Sequence, residues 1–328
     1  MKTLIIDKNH ANQRIDKYLK KLLCQAPPQM IYKMLRKKDV KVNGVKVKEN
    51  YIVQENDIVE LFLYEDRFKE WSQPQTIFDL KVEFDVIYED ENILIVNKPA
   101  GLLVHEDVNE DMNTLSNQVL TYLYQKGEYD PEASLGFTPG PVHRLDRNTS
   151  GMVIFGKTMK ALQDLNEMMK KRHCIDKTYL TICKGYMETS DLIGYMKKES
   201  DQSLVKVVSC QTPGALMMHT LVEHLDYRDD FSLIKVKLIT GRTHQIRVHL
   251  SSLDHPIIGD SKYGDFELNK YIKKQFHLNH QFLHAYSLTF VKPIGCLKYL
   301  QGKTLICPLP SDLNKIKRKM FPQNNYEN

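Results

Sequence analysis

Val82-Glu83-Phe84-Asp85-Val86-Ile87-Tyr88, then Asp90-Glu91-Asn92, then Ile93-Leu94-Ile95-Val96: two short apolar runs separated by a polar turn set the reading of the fold. Runs rich in β-branched and aromatic residues suit a pleated surface, and Lys98-Pro99-Ala100-Gly101 closes the second one. Residues 231–240 repeat the signature, with Ile234, Val236 and Leu238 on one face and Lys235 and Lys237 on the other. Helical spacing is rarer. It is clearest over 158–172, where Ala161, Leu162, Leu165, Met168 and Met169 share a face. A strand-rich body carrying a few helices predicts an α+β architecture built on a mixed, mainly antiparallel sheet.

The body read this way begins near residue 80 and extends to about 310. Before it, residues 64–79 are charged, contain Pro74 and show no sustained period, which predicts a linker, with Trp71 packing it onto the body. After it, residues 311–328 read as a basic C-terminal tail. The 328 residues are 42% hydrophobic and 27% charged, an ordinary globular balance that leaves no room for a fibre or a disordered array. No apolar run exceeds four residues, the first eight lack a secretory pattern, and six cysteines are scattered without a CxxC pair. These features predict a cytoplasmic, reduced protein with neither a transmembrane helix nor a zinc finger.

The net charge of +5 has an address. Residues 12–62 hold eleven basic and six acidic side chains, so the whole excess lies there. Charge alone fits a polyanion-binding module and a merely solvated surface equally well. The local pattern adds an order of elements. Ile15, Tyr18, Leu19, Leu22 and Leu23 recur at helical spacing; Pro27-Pro28 breaks the chain and starts a second helix with Ile31, Met34 and Leu35 inward; then Val40-Lys41-Val42-Asn43-Gly44-Val45-Lys46-Val47-Lys48 alternates about an Asn-Gly turn. Lys33, Arg36, Lys37 and Lys38 are the candidates for phosphate contacts.

Chemistry is sought in Pro139-Gly140-Pro141-Val142-His143-Arg144-Leu145-Asp146-Arg147-Asn148-Thr149-Ser150-Gly151. A single carboxylate, Asp146, sits there among arginines. Guanidinium neighbours keep a carboxylate ionised, as a nucleophile requires and a general acid does not. Spacing alone fits better a loop aspartate satisfied by nearby amides and ion pairs. In Thr240-Gly241-Arg242-Thr243-His244-Gln245-Ile246-Arg247, Thr243 reads as the N-cap of a helix whose apolar face is Ile246, Leu250 and Leu253. Arg247, set among apolar residues, calls for an anionic partner, either a buried acid or a ligand. His277, His280 and His284 carry helical spacings without an acidic companion, and 282–290 reads better as a strand, so no metal is expected. Neither G-x-G-x-x-G nor a Walker loop occurs, so no nucleotide cofactor is expected.

His143-Arg144-Leu145-Asp146-Arg147-Asn148-Thr149-Ser150-Gly151 resembles the catalytic motif of the RluA/RluD family of pseudouridine synthases. Asn97-Lys98-Pro99-Ala100-Gly101-Leu102, Lys177-Thr178-Tyr179-Leu180, Thr240–His249, His255-Pro256-Ile257-Ile258-Gly259-Asp260 and Leu283-His284-Ala285 match in order. Residue 148 is Asn where the pattern often carries Asp. The basic segment, 12–63, resembles an S-four-type RNA-binding domain through Arg14-Ile15-Asp16-Lys17-Tyr18-Leu19, Met34-Leu35-Arg36 and Val40-Lys41-Val42-Asn43-Gly44. The resemblance implies the pseudouridine synthase fold and isomerisation of uridine to pseudouridine in folded RNA, without cofactor or metal. By the same resemblance, Asp146 matches the nucleophile and Tyr179 the tyrosine that stacks on the target base and assists removal of its carbon-5 proton. Arg247 matches the arginine paired with the aspartate, and Arg144 the one that fills the gap left by a flipped nucleotide. Large-subunit ribosomal RNA is the favoured substrate and tRNA the alternative, with a monomer as the default. Two competing readings are an inert RNA-binding protein and a nucleoside hydrolase. The first leaves Asp146, Tyr179 and Arg247 together unexplained, and the second calls for two carboxylates.

Overall fold

The computed structural model describes residues 1–8, 10–72, 79–106, 112–131, 137–198 and 204–322. Its N-terminal part opens with strand β1 (Lys2–Ile5) and continues through β2 (Gln13–Arg14), α1 (Ile15–Leu22), α2 (Pro28–Lys37), β3 (Val40–Val42), β4 (Val45–Lys46), β5 (Ile52–Val53), β6 (Ile58–Leu61) and α3 (Glu65–Ser72). The alternation about Asn43-Gly44 makes the expected hairpin, because both turn residues take the positive φ that a tight two-residue connection demands, 50° and 77°. The four strands order as β1-β6-β3-β4, so the unit recruits residues ahead of 12. The helix faces read from the sequence, Ile15, Tyr18, Leu19, Leu22 and Ile31, Met34, Leu35, all enter one core.

Two expectations are corrected here. Residues 65–72 are helical, and Phe68 and Trp71 are buried in the N-terminal core, where the Trp71 carbonyl accepts from the Gln25 amide at 3.0 Å. The aromatic pair gives this charged segment an apolar edge to bury, so Trp71 packs into the N-terminal core and not onto the body; the expected linker over 73–78 lies outside the described residues. The segment 311–328 is likewise more than a tail. Residues Ser311–Met320 form a helix whose Leu313, Ile316 and Met320 are buried in the main core, leaving its lysines outward.

The body follows as β7 (Asp85–Glu89), β8 (Ile93–Lys98), α4 (Leu115–Gln125), β9 (Gly140–Pro141), β10 (Ser150–Gly156), α5 (Met159–Lys171), β11 (Ile175–Lys184), β12 (Ser190–Lys198), β13 (Val205–Val207), β14 (Leu216–Arg228), β15 (Phe231–Leu238), α6 (Gln245–Ser251), α7 (Phe266–Phe276), β16 (Leu283–Phe290), a 3₁₀ turn (Gly295–Leu300), β17 (Thr304–Ile306) and α8 (Ser311–Met320). One sheet of eleven strands carries it. Its main path is β13-β12-β14-β15-β11-β16-β10-β8-β7, with β9 beside β10 and β17 beside β16. Every pairing among the described strands is antiparallel except β10 with β16.

Period-2 geometry explains the unbroken apolar runs at the centre. Ile93, Ile95, Met152 and Ile154 point to a core capped by α5 and the 3₁₀ turn, whereas Leu94, Val96, Val153 and Phe155 point to the opposite core under α4, α6, α7 and α8. Both faces are covered, so no residue of these strands needs to be polar. Among the described residues, no helix is long and apolar enough to cross a membrane.

Candidate active site

The site rests on the one parallel pairing. Ser150 lies opposite His284 and Gly151 opposite Ala285. Ser150 Oγ is 2.8 Å from His284 Nδ1, while His284 Nε2 is 3.0 Å from the Cys307 carbonyl oxygen. A carbonyl only accepts, so Nε2 carries the proton and Nδ1 takes the serine hydroxyl. Burial lowers the His284 pKa to about 4, which keeps the ring neutral for this role. Gly151 has φ of 112°, and a Cβ there would lie 2.4 Å from the Ala285 carbonyl oxygen, so no other residue fits. The separate sequence pieces Thr149-Ser150-Gly151 and Leu283-His284-Ala285 are two halves of one lock.

The loop before Ser150 is held from its other side by Lys98. This side chain is fully buried and donates to the carbonyls of Pro99 (2.8 Å), Leu102 (2.8 Å) and Arg147 (2.9 Å); the Gly101 amide donates to Arg147 as well, at 2.9 Å. Burial pulls the lysine pKa down to about 7 and the charge of Asp146 opposes the fall. Three carbonyl acceptors need three N–H groups, which only the ammonium supplies. Lys98 therefore ties the Asn97–Leu102 turn to the loop that carries Asp146.

Asp146 projects from that loop with its side chain 23% exposed. Its Oδ2 accepts from Arg247 Nη1 at 2.8 Å. The remaining guanidinium edge is taken by Asp260, bound through Nε (2.7 Å) and Nη2 (2.8 Å). Asp260 is completely buried and also accepts from the Lys262 (2.8 Å) and Tyr263 (3.1 Å) amides. Burial alone raises a carboxyl pKa, but Arg247 and these amides outweigh it and hold Asp260 below its usual range. Burial likewise opposes the charge of Arg247, and its hydrogen bonds and ion pairs with Asp260 and Asp146 more than offset that, raising its pKa. Of the two partners open to Arg247, a buried acid or a ligand, the structure shows the buried acid, Asp260, and adds the partly exposed Asp146. One planar cation, bidentate to Asp260, ties the Asp146 carboxylate to the core.

The turn before α6 departs from expectation. His244, not Thr243, occupies the N-cap position, in a left-handed conformation (φ 56°) and without a side-chain cap. Gln245 organises the turn instead. Its Oε1 accepts from Thr240 Oγ1 (2.7 Å) and the Arg242 amide (3.0 Å), and its Nε2 donates to the His219 carbonyl and Thr220 Oγ1, each at 3.0 Å. Every hydrogen-bonding position of a buried amide is used, which outweighs a single cap bond.

Asp146 and Arg247 face a cavity of about 540 Å³, a size suited to a small ligand or a single nucleotide. Tyr179 lines it from β11, just past a bulge against β16, and is buried. Burial and the charge of Asp146 raise its pKa, so it stands as a phenol. Arg144 is exposed on the cavity wall, with Lys177, Arg172 and Arg242 also lining it. Asp146 is the one carboxylate among the lining residues. His143 also lines the cavity, half-buried; its Nε2 accepts from the Ile154 amide at 3.3 Å, and burial drops its pKa to about 3. The structure thus brings Asp146, Tyr179, Arg247 and Arg144 together. Lys33, Arg36, Lys37 and Lys38 are exposed on α2 and its C-cap, in the N-terminal unit.

Among the described residues no group of three or more His, Cys, Asp or Glu is placed to hold a metal. His277 ends α7, whereas His284 sits on β16 with both ring nitrogens engaged. Sequence reasoning gave no role to Lys98, Asp260 or His284. Each lies inside a quoted motif, and the signal available was a charged or polar residue embedded in an apolar setting.

Residues 92–252 match the family described as RNA pseudouridylate synthase, and residues 13–59 match the S4 domain. The ribosomal large subunit pseudouridine synthase C of Pasteurella multocida is 34% identical over 325 residues, covering 96% of this chain and 93% of that one. This chain belongs to the RluA family of RNA pseudouridine synthases. An uncharacterised RNA pseudouridine synthase of Mycoplasma capricolum is also 34% identical to this RluA-family chain, over 93% of it and 97% of the relative. The synthase shares its fold with human RNA pseudouridylate synthase domain containing 4, with a TM-score of 0.57 over 72% of this chain and 92% of that one at 22% identity. It is an RNA-modifying isomerase with an N-terminal S4 domain.

Proposed function

We propose that this synthase isomerises specific uridines of large-subunit ribosomal RNA with Asp146 as the nucleophile. The observation that carries the reading is the 2.8 Å bond from Arg247 to Asp146 Oδ2, which leaves the other carboxylate oxygen facing the cavity that Tyr179 lines. The reaction breaks the bond between uracil N1 and the ribose anomeric carbon and forms one from carbon 5. Carbon 5 loses a proton, N1 gains one, and nothing is oxidised or reduced. An anchored carboxylate and a proton-handling group meet that demand, so no metal or cofactor is assigned. The carboxylate adds to the substrate and leaves again when the new carbon–carbon bond is complete.

Tyr179 is assigned to the base. As a phenol it stacks on the ring, and it takes the carbon-5 proton only by passing its own hydroxyl proton on in the same step, toward the N1 that gains one. Arg144 is assigned to the space vacated when the nucleotide leaves its stack, a movement costing a few kcal/mol. Asp260 does not supply the second acid of a hydrolase, because both its oxygens are held by Arg247. Lys33, Arg36, Lys37 and Lys38 are assigned to RNA phosphates, with residues 2–72 as the RNA-docking unit of a cytoplasmic monomer. The ribosomal assignment leans on relatives named as large-subunit synthases. Mapping pseudouridines in total RNA with and without the gene tests it. Lost sites in large-subunit RNA are expected, whereas losses confined to tRNA redirect the substrate and leave the chemistry standing.

A further inference from the structure

One side chain at the cavity has a geometry that its place in the turn does not require. His244 holds a left-handed backbone, φ 56°, which is strained for a residue other than glycine, and its side chain caps nothing. Its ring lies between Asp146 and Tyr263. Nε2 is 3.9 Å from Asp146 Oδ1, the oxygen that Arg247 does not hold, and Nδ1 is 2.8 Å from the Tyr263 hydroxyl. The ring is packed edge-on against Tyr263, centroids 5.5 Å apart.

The tautomer follows from what Tyr263 is doing. Its hydroxyl oxygen accepts from the Val205 amide at 3.0 Å. Its own proton is directed at the histidine, because His244 Nδ1 is the acceptor that the described residues offer it. Burial raises the Tyr263 pKa, so that proton stays on oxygen. Nδ1 is then the acceptor, and the ring proton belongs on Nε2, the nitrogen facing Asp146. The ring itself stays uncharged: burial lowers its pKa, Arg247 and Lys262 lower it further, and Asp146 and Asp260 only partly oppose them. A neutral N–H can steer the carboxylate without neutralising it.

We propose that His244 is a positioning residue for the isomerisation, its Nε2–H, set in that tautomer by Tyr263, closing onto Asp146 Oδ1 when RNA is bound and fixing the rotation of the carboxylate. Arg247 grips one oxygen, which leaves the carboxylate plane free to turn about its bond to the side chain; a second donor at the other oxygen removes that freedom. The 3.9 Å separation shortens by about 1 Å on closure, as contacts of this kind do between free and reacting enzyme. The inference rests on Asp146 as the nucleophile.

Single-turnover rates and RNA affinities of full-length wild type, His244→Ala, His244→Gln, Tyr263→Phe and Asp146→Asn, on one RNA that the wild type modifies, test it. A lost donor to a charged group corresponds to about 10–100-fold in rate. His244→Ala is expected to lose that in the chemical step while RNA affinity changes less than about twofold. His244→Gln, whose amide N–H reaches the position of Nε2–H, recovers most of the loss, and Tyr263→Phe falls between. Thermal unfolding of each variant separates a collapsed turn from a missing donor, and Tyr263→Phe leaves the strained turn untouched. A wild-type rate for His244→Ala, or equal losses for the Ala and Gln variants, overturns the inference while an inactive Asp146→Asn keeps the nucleophile. Turnover by Asp146→Asn overturns both.

Discussion

The two positively charged regions of this synthase are built in opposite ways. On α2 and its C-cap, Lys33, Arg36, Lys37 and Lys38 stand exposed, and among the described residues none of them forms an ion pair. At the cavity and behind the Asp146 loop, Arg247 and Lys98 are buried and each makes three hydrogen bonds. Exposed cations act through the field they share and through released counterions, so they contribute in parallel and none is decisive. Buried cations cannot exist without their partners, so the cavity network stands or falls as a unit. On the roles proposed for them, docking and chemistry should therefore respond to mutation and salt in different ways.

The sharpest contrast comes from Asp146→Ala, for which pseudouridine formation should fall by about 10³-fold or more while RNA retention on filters stays near wild type. Comparable loss of both would erase the distinction. Asp260→Asn comes next. It takes a buried anion away from Arg247 and should destabilise the body by about 3–5 kcal/mol in urea unfolding, with activity falling alongside. Stability unchanged within error would mean that Arg247 is held by something else.

A pH series probes the frame beneath the site. His284 and His143 have pKa values pushed down to about 4 and about 3 by burial, so below about pH 6.5 the unfolded chain takes up protons that the folded chain refuses. Urea midpoints should fall as pH drops from about 6.5 toward 4, and His284→Gln should flatten that slope. The smallest effect on chemistry is expected from the joint change of Lys33, Arg36, Lys37 and Lys38 to Ala. Affinity should weaken and the slope of log affinity against log salt should shrink by up to about 3, with the rate at saturating RNA least changed. An unaltered salt slope would move the docking surface elsewhere.

Much of this was legible in the chain. The hairpin at Asn43-Gly44, the helix faces of α1, α2 and α5, and the strands β8 and β15 follow from local periodicity, which the structure obeys because each element buries one regular face or two. Asp146, Tyr179, Arg247 and Arg144 were nameable from motifs, and the cavity does gather them. The errors have a common cause. Trp71 and α8 owe their positions to cores formed by residues far away in sequence, and the turn at His244 is decided by Gln245 reaching Thr220 on another strand. Composition marks such segments as polar or charged; only the fold reveals which edge is covered. The same holds for Lys98, whose acceptors include a carbonyl 49 residues on.

The lock between Gly151 and Ala285 also has a temporal meaning. The strand that follows the Asp146 loop pairs with β8 early but gains its parallel neighbour 134 residues downstream, a long-range closure that a growing chain reaches late. During synthesis, the N-terminal unit, built from contacts among residues 2–72, has its whole core available long before β16 is made. A nascent chain thus acquires the means to bind RNA before the means to modify it, and catalytic competence reports that synthesis has passed Ala285.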